Sequence, residues 1–443
     1  MKARILALLL ALVMVASLFA ACSAGKTDAS GASTGASQTP DDSKTTEDTK
    51  PAKTEKTKIV YWHAYTDQHE EKFLELAAAF NASQDEYELV AEQQPYSEID
   101  SKTMQAVRNG TGPDLVNMYP SDAVNYLNEG RLVDLSVYIN DPEIGIPNFK
   151  DNVPAGQYSE ITQWGDGIYV FPCTTAGEVL FYNKTMFDKY GLEAPKTWTE
   201  LAECSKIIHE KEGIPGFGTD SLVDTYQCLI MQAGSGYIDE DGNYAIDETI
   251  AKEKLNWFAD LVKSGDFRLV GEDVFFSGPF GQAVASYIGS SAGVSYVELA
   301  VNDTFEIGCV PIPQEGPVRY ISSWGNNFAC LSTDEDHARG AYMFLKFLTS
   351  TENIVQWAEA FGTVPIYKEA RESAEFQQFA ETNIAVKALT EEADDIGMLA
   401  SVPGAAAMRT EIDKMVQSVA LNVSDADTAY AAFETACREA LAK

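Results

Sequence analysis

The strongest constraint on the fold is an alternation of strand and helix signals that begins at Ile59. Ile59-Val60-Tyr61-Trp62 reads as a short strand. Asp67 to Ser83 follows as a helix, because Phe73, Leu76, Ala77 and Phe80 recur at i, i+3, i+4 and i+7 and share one face. Tyr87 to Val90 reads as a second strand. Ser97 is placed to cap a helix that runs to Arg108 and ends at Gly110. Pro113 to Tyr119 reads as a third strand, and Ser121 is placed to cap the helix after it. Strand, helix, strand, helix, strand is the grammar of an α/β fold with a mostly parallel sheet.

The alternation continues through the middle of the chain. Gly167–Phe171 and Glu178–Tyr182 are strand-like, and Thr197-Trp198-Thr199-Glu200 is a capping box. Asp247 starts a long helix with Leu255, Trp257, Phe258 and Leu261. Val284–Ile288 and Arg319–Ser322 are strand-like. The C-terminal part is helical over 335–349, 352–360, 405–420 and 426–441. A chain of 443 residues exceeds what a single core usually holds, so two lobes are expected.

The first 58 residues are of a different kind. Lys2 and Arg4 precede an apolar run from Ile5 to Leu18, and Phe19-Ala20-Ala21-Cys22 closes it. The run is short for a membrane span and resembles a bacterial lipoprotein signal, which would make Cys22 the lipidated N-terminus. Phe19 stands where Leu is usual. The alternative is an ordinary signal peptide with a chance cysteine. Residues 23–58 hold no aromatic residue and no Leu, Ile or Val, so they cannot bury enough to fold and read as a tether. The expected layout is a signal over 1–22, a tether over 23–57, one lobe from 58–177 and 323–370, and a second from 178–322 and 371–443.

Formal net charge is −35, which repels nucleic acid and disfavours electrostatic docking on anionic lipid. Six further cysteines (Cys173, Cys204, Cys228, Cys309, Cys330, Cys437) show no C-x-x-C pair; small buried hydrophobes is the plain reading, and sequence assigns no disulfide. Catalytic motifs fail. His69-Glu70 lacks the second histidine of a zinc motif, no phosphate loop occurs, and Asp239-Glu240-Asp241-Gly242-Asn243 has its glycine misplaced for calcium. No cofactor or metal is expected. Paired carboxylates of a hydrolase have no positive support among 67 acids.

Several segments together resemble the family 1 extracellular solute-binding proteins of ABC importers, the group of maltodextrin- and glycerol-3-phosphate-binding proteins. They are Tyr61-Trp62-His63, Asn109 to Val116, Glu178 to Lys184, Pro195 to Leu201, Gly265-Asp266-Phe267, Gly362 to Ile366, and Ala407-Met408-Arg409. The glycerol-3-phosphate branch is nearest, but its ligand-facing acid falls at Pro120 or Ser121, a serine at Ala176, a tyrosine at Thr363, and its arginine near Ile412, one turn from Arg409. The resemblance implies two α/β lobes of the type II periplasmic-binding-protein kind. Hinge strands would cross near Thr175–Leu180, Ile321–Asn326 and after Ile366, around a cleft that closes on ligand. It implies a monomer at the outer face of the cytoplasmic membrane, held by a lipid anchor, that passes a small-molecule solute to permease subunits.

A sugar needs flat aromatic faces and many hydrogen-bonding groups, and loops after strands are where these converge. The candidates are Trp62 (or core), Tyr96, Tyr119, Ser121 (or a cap), Asp122 (or a dipole partner), Ser290 and Ser291 (or a turn), Trp324 and Asn326 at the second crossing, Tyr226 with Asp224 (or helix surface), and Arg409 (or a partner for an acid). A neutral oligosaccharide is favoured over a glycerol phosphate or glycerophosphodiester. The competing classes are a lipid-anchored carbohydrate hydrolase and a chemoreceptor or adhesion module.

Overall fold

The structure, a computed structural model, describes residues 55–239, 241–271, 275–332, 334–392, 395–397 and 401–442, with backbone alone at residues 323, 324 and 326. Cys22, the signal and nearly all of the tether lie outside the described residues.

The alternation from Ile59 is present. Strands β1 (Thr57–His63), β2 (Tyr87–Gln93) and β3 (Leu115–Asn117) lie parallel, in the order β2-β1-β3. Helix Asp67–Ser83 buries Phe73, Leu76, Ala77 and Phe80, the face read from its spacing. Two expected caps move. Helix Ile99–Arg108 has Glu98, not Ser97, at its N-cap. Helix Pro120–Asn128 has Tyr119 there, because Pro120 takes the first helical position that suits its fixed φ, and this puts Ser121 inside the first turn.

The middle of the sheet departs from the parallel expectation. Strand β4 (Phe171–Asn183) runs antiparallel to β7 (Ser286–Ser290), β8 (Ile307–Pro311) and β9 (Ile321–Cys330), and β9 runs antiparallel to β3. Beyond β7 the sheet is parallel again through β5 (Phe217–Thr219) and β6 (Phe267–Leu269). The two strand-like pieces expected around residues 167–182 thus resolve into one long strand that begins at Phe171.

Two apolar cores flank that middle. Ile59, Tyr61, Phe73, Leu115, Phe328, Phe344 and Trp357 belong to the first. Leu180, Phe217, Leu255, Tyr287, Met408 and Phe433 belong to the second. The long strands serve both: β4 gives Phe171 and Cys173 to the first core and Val179 to Phe181 to the second, and β9 gives Phe328 to Cys330 and then Ile321. Every residue of β4 except Tyr182 is buried. Both faces are covered, and the polar residues Thr174, Thr175 and Glu178 are buried at its middle, where the strand passes from one core to the other. The last passage between cores falls later than residue 371. Phe376 packs in the first core and Ala385 in the second, because helix Ala374–Thr382 packs on helix Thr351–Phe361 before helix Ile384–Glu391 covers β4 and β8.

Local signals that set helix ends hold. The Thr197/Glu200 capping box forms in both directions, and Asp247 accepts from the Ile250 amide at 2.9 Å. Asp239 collects the amides of Asp241 and Asn243, a polar turn. Cys173, Cys204, Cys228, Cys330 and Cys437 are buried free thiols and Cys309 is a half-buried one.

Candidate ligand site between the two cores

Chain segments that leave the C-terminal ends of β2 and β3 carry Tyr96, Asp100, Tyr119 and Asp122. Helices Leu222–Gln232 and Ala405–Ala420 of the second core bring Asp224 and Arg409 to the same place. Tyr96 and Phe275 meet edge to face across the gap, with ring centroids 5.7 Å apart. Tyr96 hydrogen-bonds to Tyr119. Loops outside the carboxyl ends of strands are where open α/β sheets place ligands.

The electrostatics describe a cleft. Tyr96 is 59% exposed and Tyr119 38%, yet both hydroxyls are held above the ordinary tyrosine range, first because protein surrounds them. Helix Ala405–Ala420 of the second core packs against helix Pro120–Asn128 of the first beside them, so the two tyrosines stand where the cores approach each other. The smaller contributions come from both cores: Asp100, Asp224 and Glu178 act on Tyr96, and Asp100, Asp122 and Asp224 on Tyr119. Desolvation pushes the Asp122 carboxyl up to about 6; Asp100 adds to the shift and Arg409 opposes it. Behind this wall a cavity of about 200 Å³ is lined by Asp100, Thr103, Asn117, Asp122, Asn125 and Tyr126.

The facing wall is already paired. Asp224, fully buried, receives Arg409 in a fork of 3.0 and 3.1 Å, and Gln227 accepts from the same guanidinium at 3.5 Å. Ser322 donates to Asp224 at 2.7 Å, and Ser221 donates to its other oxygen. Burial alone would lower the Arg409 pKa; Asp224 more than offsets it and holds the cation charged.

The structure therefore gathers Tyr96, Tyr119, Asp122 and Arg409 and sets Tyr226 apart. Tyr226 is a correction: it is buried in the second core and donates to the Ala251 carbonyl at 2.7 Å. Residues two apart on a helix do not share a face, so with Asp224 turned to Arg409, Tyr226 points into packing. Ser290 is the turn residue of the plain reading, its hydroxyl accepting from the Ala292 amide at 3.3 Å. Ser291 is fully buried under Gly362, whose φ of +59° and lack of a Cβ let the chain approach the Ser291 carbonyl. Its hydroxyl is buried without a hydrogen-bond partner among the described residues. Trp62 is half-buried and donates to Glu92 on the neighbouring strand at 2.8 Å. Ser121 sits in the first turn beside Asp122. Trp324 and Asn326 lie on β9 opposite Ala176 and Thr174, with side chains outside the description.

Sequence reasoning missed Asp100, Phe275 and, as a cleft acid, Glu178. Asp100 reads as a first-turn acid complementing a helix dipole, and no periodicity separates that from a cleft role. Phe275 carried one available signal, a large aromatic outside any helix or strand. Among the described residues no group of three His, Cys, Asp or Glu is arranged to hold a metal ion.

Two cores joined by shared long strands, with a walled groove between them, define a two-lobed α/β binding protein. The sequence model of the bacterial extracellular solute-binding protein family matches residues 75–385, and the chain belongs to that family. Its place is therefore extracytoplasmic, and its work is binding, not catalysis. It is 26% identical over 348 residues, covering 74% of this chain and 78% of the relative, to the sn-glycerol-3-phosphate-binding periplasmic protein UgpB of Brucella abortus. Among solved structures it is similar to the GacH receptor of Streptomyces glaucescens, solved unliganded and with acarbose (TM-score 0.77, 19% identity, 88% of this chain and 99% of that one). It is also similar to UgpB of Mycobacterium tuberculosis in complex with glycerophosphocholine (TM-score 0.76, 17% identity, 87% and 98%).

Proposed function

We propose that this protein is the receptor of an ABC importer, that it takes a polyhydroxylated sugar-type solute into the groove between its cores, and that it delivers this solute to the permease. The observation that carries the solute class is the state of Arg409. A phosphate needs uncommitted donors, ideally a guanidinium fork. The fork of Arg409 is closed on Asp224. The other charged groups acting on the groove tyrosines are carboxylates: Asp100, Asp122 and Glu178. Carboxylates accept from sugar hydroxyls and repel phosphate, and the exposed Tyr96 and Phe275 rings offer faces to sugar C–H groups.

In this reading Cys22 carries the lipid anchor at the outer face of the cytoplasmic membrane, residues 23–57 are the tether, and the receptor acts as a monomer. The second reading, a glycerol phosphate or glycerophosphodiester in the same groove, draws on the names of the relatives. One screen separates them. Melting of the purified protein is followed against mono-, di- and oligosaccharides, glycerol-3-phosphate and glycerophosphocholine. A ligand of the native state raises the melting temperature by mass action. A shift with an uncharged saccharide supports the proposal; a shift with the phosphorylated compounds alone overturns it. Recovery of the saccharide intact tells capture from hydrolysis.

A further inference from the structure

Beside the crossing strands, a second and much smaller cavity of about 10 Å³ lies between helix Ala155–Ile161 and strands β4 and β9. Its lining includes Gln157, Glu160, Thr174 and Asn327. Three of these present polar atoms that are buried and have no hydrogen-bond partner among the described residues: Gln157 Oε1, Thr174 Oγ1 and Asn327 Nδ2. Thr174 is 1% exposed and Asn327 3%. An unsatisfied buried polar group costs roughly 1–3 kcal/mol, and native proteins keep few of them. Three converging on one void point to a missing partner.

The atoms also specify what the partner is. Gln157 Oε1 only accepts, Asn327 Nδ2 only donates, and the Thr174 hydroxyl does either. A group that both donates and accepts at one oxygen satisfies all three, and a hydroxyl does this. A phosphate oxygen or carboxylate would face Gln157 Oε1 with no proton to give. An ammonium would leave Asn327 without an acceptor. The space matches one oxygen, since a single water needs ~10–15 Å³. The backbone keeps the space open: a Cβ on Gly325 would lie 2.6 Å from Asn327 Nδ2, so a side chain there would displace the amide. Burial raises the neighbouring Glu160 carboxyl to about 7.

We infer that this cavity is a binding subsite for one hydroxyl oxygen, built by Gln157, Thr174 and Asn327 at the junction of β4 and β9. Two sources supply that chemistry, an ordered water or a hydroxyl of the solute. The second source rests on the proposed sugar-type ligand; the subsite itself does not.

A crystal structure of the protein without solute tests the subsite. The expected result is an oxygen within hydrogen-bond distance of at least two of the three atoms. An empty cavity, or Gln157 paired directly with Asn327, overturns the inference. A second structure, with the saccharide found by the melting screen, assigns the source: either the water is retained or a solute hydroxyl replaces it. Thr174→Val keeps the shape and removes the hydroxyl. If the solute is the source, its affinity falls roughly tenfold, while retained water leaves affinity nearly unchanged. Because the unliganded structure is read without any solute, failure of the sugar proposal and failure of the subsite are separate outcomes.

Discussion

The two walls of the groove are built on opposite plans. In the second core, Arg409, Asp224, Gln227, Ser221 and Ser322 form one hydrogen-bonded network around a fully buried carboxylate. In the first, Tyr96 and Tyr119 are open to solvent and Asp122 is only half-buried. A closed polar network holds a wall in place, and an open one leaves groups for a ligand. Under the proposed function, stability belongs to the second wall and recognition to the first.

The contrast breaks most readily at Arg409. Arg409→Ala leaves Asp224 as an uncompensated buried charge, so denaturant unfolding should show a loss of about 3–5 kcal/mol. Unchanged stability with abolished binding would instead make Arg409 a recognition residue. Tyr96→Ala is the converse experiment. It should weaken solute binding about tenfold in calorimetry, with a stability change under about 0.5 kcal/mol, since the ring is largely exposed.

Asp122 sharpens the comparison through pH. Its folded pKa, about 6, stands above the ordinary value of 3.8, so folding disfavours its ionised form. Its favourable contribution is fully present below about pH 4 and is lost as pH rises through about 6. Asp122→Asn should therefore stabilise the ligand-free protein at pH 7–8 by about 1 kcal/mol and flatten its melting profile between pH 4 and 7. Tyr226→Phe removes one buried hydrogen bond. It should cost about 0.5–1.5 kcal/mol of stability and leave affinity untouched, the opposite pattern to Tyr96.

The fold was legible where local chemistry decides it. The apolar spacing of Asp67–Ser83, the Thr197/Glu200 box and the Asp247 cap all act over a few residues, and each appears in place. The antiparallel middle was not legible, because β4 and β9 pair at a separation of about 150 residues and nothing in either strand names its partner. The site divides along the same line. Tyr96, Tyr119 and Asp122 were singled out because they follow strands, Tyr96 also through the family resemblance, and the structure brings the three together. The fate of Arg409 depends on which of many acids the fold sets beside it, and Ser291 is approached by Gly362, far along the chain. Tyr226 failed as a candidate through the rotation of a helix whose burial on nearly all sides hides its facing.

The most direct test is a pair of calorimetric titrations of the protein, one with the uncharged saccharide selected by melting and one with glycerol-3-phosphate. The account predicts saturable heat from the saccharide, weakened by Tyr96→Ala, and none from glycerol-3-phosphate up to millimolar concentration. Saturable binding of glycerol-3-phosphate, with no saccharide binding, would mean that Arg409 leaves Asp224 to meet a phosphate, and the division of labour between the two walls would be wrong.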